Sequence, residues 1–197
     1  FIITTSPSLV KQLRTRYKQP IHIVNNGFDP EGYDNIQPAK WDRFTIIYTG
    51  SLLPGRSPLL FYQALDELLN DGFIPPDDIQ VVHYGATNFR VDNRFLSQLL
   101  RKVKHRSVLT FRERIAHRQA IEAQVGADLL LLLPGLLSSD GGNIPAKLFE
   151  YLRSGRPILS VATSPQDEVS EIINKHNAGL ATSNYQEIKE YVLAQYH

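Results

Sequence analysis

Short apolar runs alternate along the whole chain with segments whose apolar positions recur every three or four residues. Residues 1–5 and 21–24 read as strands. Between them a helix starts on Ser6 as N-cap and Pro7 as first helical residue, with Leu9, Val10, Leu13 and Tyr17 at helical spacing. Residues 25–43 are rich in Asn, Gly, Asp and Pro and read as a linker. Beyond it, strands are predicted over 44–49, 79–84, 107–111, 128–133, 157–162 and 179–181. The helices between them begin at Ser57 and Pro58 (Phe61, Ala64, Leu65 and Leu68 inward, ending near Gly72), and cover 92–103, 117–125 and 145–153. A capping box at Ser164, Pro165, Gln166 and Asp167 opens a helix carrying Val169, Ile172 and Ile173. A last helix covers 184–195, its cap completed by Glu187.

Continuous apolar strands alternating with helices predict an α/β fold: a Rossmann-like parallel sheet with helices on both faces. Right-handed crossovers then gather the strand-to-helix loops 50–57, 85–89, 112–117, 134–145 and 162–165 on one sheet edge, where ligands of such folds bind.

At 197 residues the chain suits one main domain with an appendage. A net charge of +1 gives no electrostatic case for nucleic acid or an anionic membrane. The basic run Arg101, Lys102, Lys104, His105 and Arg106 reads as a solvated helix end. With no cysteine, disulfides and thiolate metal sites are excluded. No apolar run is long enough to cross a bilayer. His22, His83, His105, His117, His176 and His197 show no metal-ligand spacing.

Three loops on the predicted edge carry candidate chemistry. Gly50, directly after an apolar strand, allows close approach to the backbone, with Ser51 beside it. Arg56 follows on the same loop, ahead of a helix start, where a guanidinium is a good diphosphate receptor. The plainer reading is a surface arginine in an ordinary loop. The glycine pair Gly141–Gly142 precedes Asn143, Ile144 and a helix, and free N–H groups there suit a phosphate. Lys147 and Glu150 lie one turn apart on one face of that helix. Glu150 could accept hydrogen bonds from a sugar's paired hydroxyls. Alternatively the two are a surface pair worth ~0.3–0.5 kcal/mol. The third loop, Arg112, Glu113, Arg114 and Ile115, could hold a base ring or simply form ion pairs. His117 reads as an N-terminal helix residue. That the first two loops share one edge favours a nucleotide-sugar site.

These residues resemble a known family: the C-terminal, donor-binding half of GT-B glycosyltransferases, specifically the family 4 type. Ile3, Thr4, Thr5 and Ser6, then Val24, Asn25, Asn26, Gly27, Phe28 and Asp29, are similar to its passage from the N-terminal domain into the interdomain linker. Ile47, Tyr48, Thr49, Gly50, Ser51, Leu52 and Arg56 resemble its diphosphate loop. Ala127 and Asp128 with the following leucines are similar to one of its strands. Residues 145–157, with Pro145, Lys147, Phe149, Glu150, Tyr151, Gly155 and Pro157, resemble its most specific helix.

The resemblance implies residues 1–24 as a remnant of an N-terminal domain, 25–43 as interdomain linker and 44–197 as the nucleotide-sugar-binding domain. It implies a hexosyltransferase acting with retention, cytoplasmic or peripheral to a membrane through an N-terminal domain. Arg56 would neutralise the diphosphate, Glu150 would bind ribose, and N–H groups around Gly142, Asn143 and Ile144 would meet diphosphate and hexose. Lys147 would help stabilise the leaving diphosphate, and residues 112–115 would lie near the base. No metal or other cofactor is implied, and no residue is singled out as catalytic. A carbohydrate, lipid-linked or small-molecule acceptor would bind the N-terminal domain, and the chain alone would bind donor weakly and transfer nothing.

Three positions depart from the family. A glutamate is replaced by Gly142, which leaves the hexose to backbone groups or Asp140. Ser51 stands where an arginine is frequent, and Glu113 where glycine is usual. A non-catalytic nucleotide-binding or interaction module of the same fold, or half of a nucleotide-sugar 2-epimerase, are the alternatives.

Overall fold

The structure, a computed structural model, describes residues 1–52, 55–85, 93–135, 144–161 and 167–197. The first unit is small: β1 (Ile2–Thr4) and β2 (Ile21–Ile23) pair in parallel, joined by α1 (Pro7–Arg14). Ser6 caps α1, its hydroxyl accepting from the Leu9 N–H at 3.3 Å. This unit is fastened to the rest where the Ser8 N–H and hydroxyl both donate to Glu168, at 2.9 and 3.0 Å.

Residues 25–43 follow with one short 3₁₀ turn, Glu31–Tyr33. Then strands and helices alternate: β3 (Phe44–Thr49), α2 (Leu59–Asn70), β4 (Ile79–Tyr84), α3 (Asn93–Leu100), β5 (Leu109–Arg112), α4 (His117–Gly126) and β6 (Leu129–Leu132). The chain closes with α5 (Ala146–Ser154), β7 (Ile158–Val161), α6 (Glu168–Lys175), β8 (Gly179–Thr182) and α7 (Tyr185–Tyr196).

The six later strands form one all-parallel sheet in the order β5-β4-β3-β6-β7-β8. From β3 the chain builds outward through β4 and β5, then crosses back to β6 on β3's other side. The reversal between β3 and β6 opens a crevice at their carboxyl ends, the switch point of a doubly wound sheet.

Alternation along each strand supplies two cores. Ile46, Tyr48, Val81, Leu129 and Leu131 pack with Phe61, Leu65 and Leu68 of α2, Leu99 of α3 and Ile188 and Val192 of α7. Ile47, Val82, Leu130, Leu132 and Ile158 pack with Ala123 of α4, Leu148 and Tyr151 of α5, and Val169 and Ile173 of α6. A sheet covered on both faces is why its strands read as unbroken apolar runs rather than alternating ones.

Two predicted caps differ. The helix expected to open at Ser164 begins instead at Glu168, with the Asp167 carboxylate accepting from the Ser170 N–H at 2.7 Å. Ser164 itself lies outside the described residues. At α7 the Asn184 side chain accepts from the Gln186 and Glu187 N–H groups. Glu187 does not reach the Asn184 N–H directly. That N–H donates to Thr182 Oγ1 (2.9 Å), and the Thr182 hydroxyl donates to Glu187 (2.5 Å).

Candidate functional site

The carboxyl ends of β3 and β4 and the facing sides of α4 and α5 enclose a cleft of about 380 Å³. Thr49, Gly50 and Ser51 line it from β3, Tyr84 and Gly85 from β4, and Arg114 and Ile115 from the loop after β5. His117, Ala120 and Gln124 line it from α4, and Lys147 and Glu150 from α5.

Gly50 takes φ +146°, and its N–H donates to the Tyr84 carbonyl at 2.8 Å. A methyl group at its Cα would fall 2.1 Å from Lys147 Nζ. Glycine is therefore what lets the lysine reach past the strand end. There the ammonium donates to the Thr49 carbonyl at 2.5 Å and lies 4.6 Å from the centre of the Tyr48 ring. Burial, then the nearby Arg56 charge, bring its pKa down to about 8, with Glu150 acting the other way. Tyr48 is itself held by its hydroxyl, which donates to the Ser51 carbonyl at 3.1 Å.

Glu150 is gripped from two sides. His117 Nε2 lies 2.9 Å from Oε1, and Gln124 Nε2 donates to Oε2 at 3.3 Å. Since a carboxylate only accepts, His117 carries its proton on Nε2. Gln124 is fully buried and also donates to Thr49 Oγ1 at 3.2 Å, while its own Oε1 has no hydrogen-bond partner. Tyr151, one residue on, accepts from the Thr49 N–H at 3.1 Å, and burial pushes its hydroxyl up to about 12. Thr49 is thus the point where strand β3 and helices α4 and α5 are knotted together.

Arg56 does not line the cleft with the others. It lies against Gly135, where an added methyl would fall 3.2 Å from its Nε. Its charge and that of Glu150 both act on Lys147, with opposite sign. Three of the anticipated residues are therefore brought into one electrostatic group. Gly50 and Ser51 share the cleft wall with Lys147 and Glu150.

Ile144 is different. Its side chain is buried in the core and its carbonyl accepts from Asn26 Nδ2 at 3.2 Å, so it faces the chain segment after β2. Gly142 and Asn143 lie outside the described residues. Of the base-binding candidates, Arg114 and Ile115 line the cleft. Arg112 packs over the Tyr84 ring at 5.7 Å, and Glu113 is exposed off the cleft wall.

His117 and Gln124 carried no local signal. His117 does begin α4, as its sequence position suggested, but its partner is 33 positions away. Only the packing of α4 against α5 brings them to Glu150.

The arrangement sets an ammonium and a carboxylate on the wall of one cleft, with the Arg56 charge acting on the ammonium from outside that lining. Such a pair suits a ligand that carries both an anionic and a hydroxyl-bearing part.

No sequence-family model matches the chain, and no curated protein does either. Solved structures do. Sucrose-phosphate synthase from Thermosynechococcus elongatus is similar to it with a TM-score of 0.72 at 14% identity, over 98% of this chain and 48% of that one. WaaG, a glycosyltransferase involved in lipopolysaccharide biosynthesis, gives 0.69 at 16% identity, over 98% and 53%. Anabaena HepE, solved in complex with UDP-glucose, gives 0.61 at 14% identity, over 100% and 57%. The chain spans about half the length of these structures. At such identities the likeness establishes the fold: a Rossmann-like α/β unit of the kind found in GT-B glycosyltransferases.

Proposed function

We propose that this chain is the donor-binding half of a retaining glycosyltransferase of the family 4 type, taking a nucleotide-diphosphate hexose. The observation that carries the reading is Lys147, half-buried against Gly50 at the end of β3 with Arg56 and Glu150 acting on it in opposite sense. Lys147 and Arg56 would take the diphosphate and stabilise its charge as it departs. Glu150 would accept from the ribose hydroxyls. Arg114 and Ile115 would flank the base, with Arg112 and Glu113 further out. Backbone N–H groups at Gly142 and Asn143, ahead of α5, would complete the diphosphate and hexose contacts, which requires no metal ion.

In this reading residues 44–197 form the donor domain, 25–43 the linker and 1–24 part of a second domain that binds a carbohydrate, lipid-linked or small-molecule acceptor. The full protein would act in the cytoplasm. Among the described residues no helix is long and apolar enough to cross a membrane.

Calorimetric titration with UDP-, GDP- and ADP-sugars tests the reading. One of the three should bind, and Glu150→Gln and Arg56→Ala should each weaken that binding at least ~10-fold. Absence of binding by all three to folded protein would refute it and leave the interaction module.

A further inference from the structure

Glu150 already has company within the cleft. Oε2 is fixed from inside by Gln124, itself buried and tied to Thr49, so the carboxylate cannot readily turn. Glu150 and His117 both line the cleft, and His117 Nε2 sits 2.9 Å from Oε1, the distance a ligand hydroxyl would take. The Glu150 side chain is only 21% exposed, which leaves a second donor little room beside the ring. His117 is the opposite case: 59% exposed, on the first residue of α4, free to rotate outward. When something must yield, the exposed imidazole moves and the anchored carboxylate stays.

We infer that His117 is a latch on the nucleotide site, occupying Oε1 of Glu150 until a ribose diol displaces it. The inference rests on the proposed nucleotide reading and adds a specificity-determining residue to it. The latch raises the threshold for any ligand whose contact with Glu150 is weaker than the histidine's. A ribose, offering two adjacent hydroxyl donors, exceeds one N–H donor, whereas a lone hydroxyl does not. Gln124 is the positioning residue that makes the discrimination possible, because a freely turning carboxylate could serve both partners.

The test compares wild-type protein with His117→Ala, each titrated with whichever of UDP, GDP and ADP binds and with its 2′,3′-dideoxy counterpart. His117→Ala should bind the ribonucleotide ~3–10-fold tighter, the release of one competing hydrogen bond. Its affinity for the dideoxy compound should equal that of wild type. Equal thermal midpoints confirm that the exposed substitution leaves the fold intact. If His117→Ala binds the ribonucleotide no better than wild type, the latch is refuted while the nucleotide reading stands. Equal tightening for both compounds refutes it likewise, since the effect would not pass through the diol. Failure of both proteins to bind any ribonucleotide removes the reading and the latch together.

Discussion

Lys147 holds its charge half-buried at the sheet edge, and the lost hydration sets its titration. Its folded-state pKa is lowered from an ordinary 10.5 to about 8. Between those values the unfolded chain binds more protons than the folded one, so stability rises with pH across that window; below about pH 8 both states keep the proton and the penalty is fully present. Urea unfolding at pH 7.5, 8.5 and 9.5 should show this rise, at most ~1.4 kcal/mol per pH unit. Lys147→Met should abolish it, and parallel pH profiles for the two proteins would contradict the assignment. A diphosphate beside the ammonium reverses the preference. Its binding should therefore take up a proton above pH 8, and affinity should fall as the solution becomes more alkaline, which calorimetry in buffers of different ionisation enthalpy would detect.

Helix α5 carries both Lys147 and Glu150, and the segment after β2 holds it at both ends. Asn26 donates to the Ile144 carbonyl ahead of it, and the Tyr33 hydroxyl donates to the Glu150 carbonyl at 3.0 Å. The Arg153 guanidinium lies 5.8 Å from the Phe28 ring centre and 5.0 Å from that of Tyr33. Burial pushes the Tyr33 hydroxyl up to about 12, so it stays a donor at any ordinary pH. Tyr33→Phe should then cost ~0.5–1.5 kcal/mol, read as a lower urea midpoint with unchanged slope. An unaltered midpoint would mean that this contact does not brace the helix. In the sequence these residues read only as linker, because nothing local in Asn, Gly and Pro says what they will lie against. Strands β3 and β4 were legible to the residue, since burial on both faces writes itself as continuous apolar composition. The cap at Asp167 was not, because Ser164 offered an equal local alternative. Glu150 was legible from its helix and from family resemblance. His117 and Gln124 were not, since their role exists only once α4 meets α5.

The whole molecule divides unevenly. The six-stranded sheet is buried on both faces, whereas β1 and β2 form a two-stranded sheet of three residues each, below the size that is stable alone. Phe1 is 83% exposed, Ile3 57%, Ile23 46% and Val24 57%, so one apolar flank of that unit lies open. Ser8 ties it to Glu168 of the main body by two hydrogen bonds, and its chain continues into the strap on α5. The unit's buried Val10 belongs to neither main core, so local opening needs no disruption of either. Native-state hydrogen exchange should show it. The amides of Ile2 and Val24, bonded to the carbonyls of Pro20 and Thr4, should exchange on the order of 100-fold faster than those of Gly50 and Leu130, bonded within the large sheet. Equal protection would mean that the small unit opens only with the entire protein. A second domain packed on the open flank would slow Ile2 and Val24 selectively. The same measurement on a longer form of the protein would therefore report whether that flank is an interface.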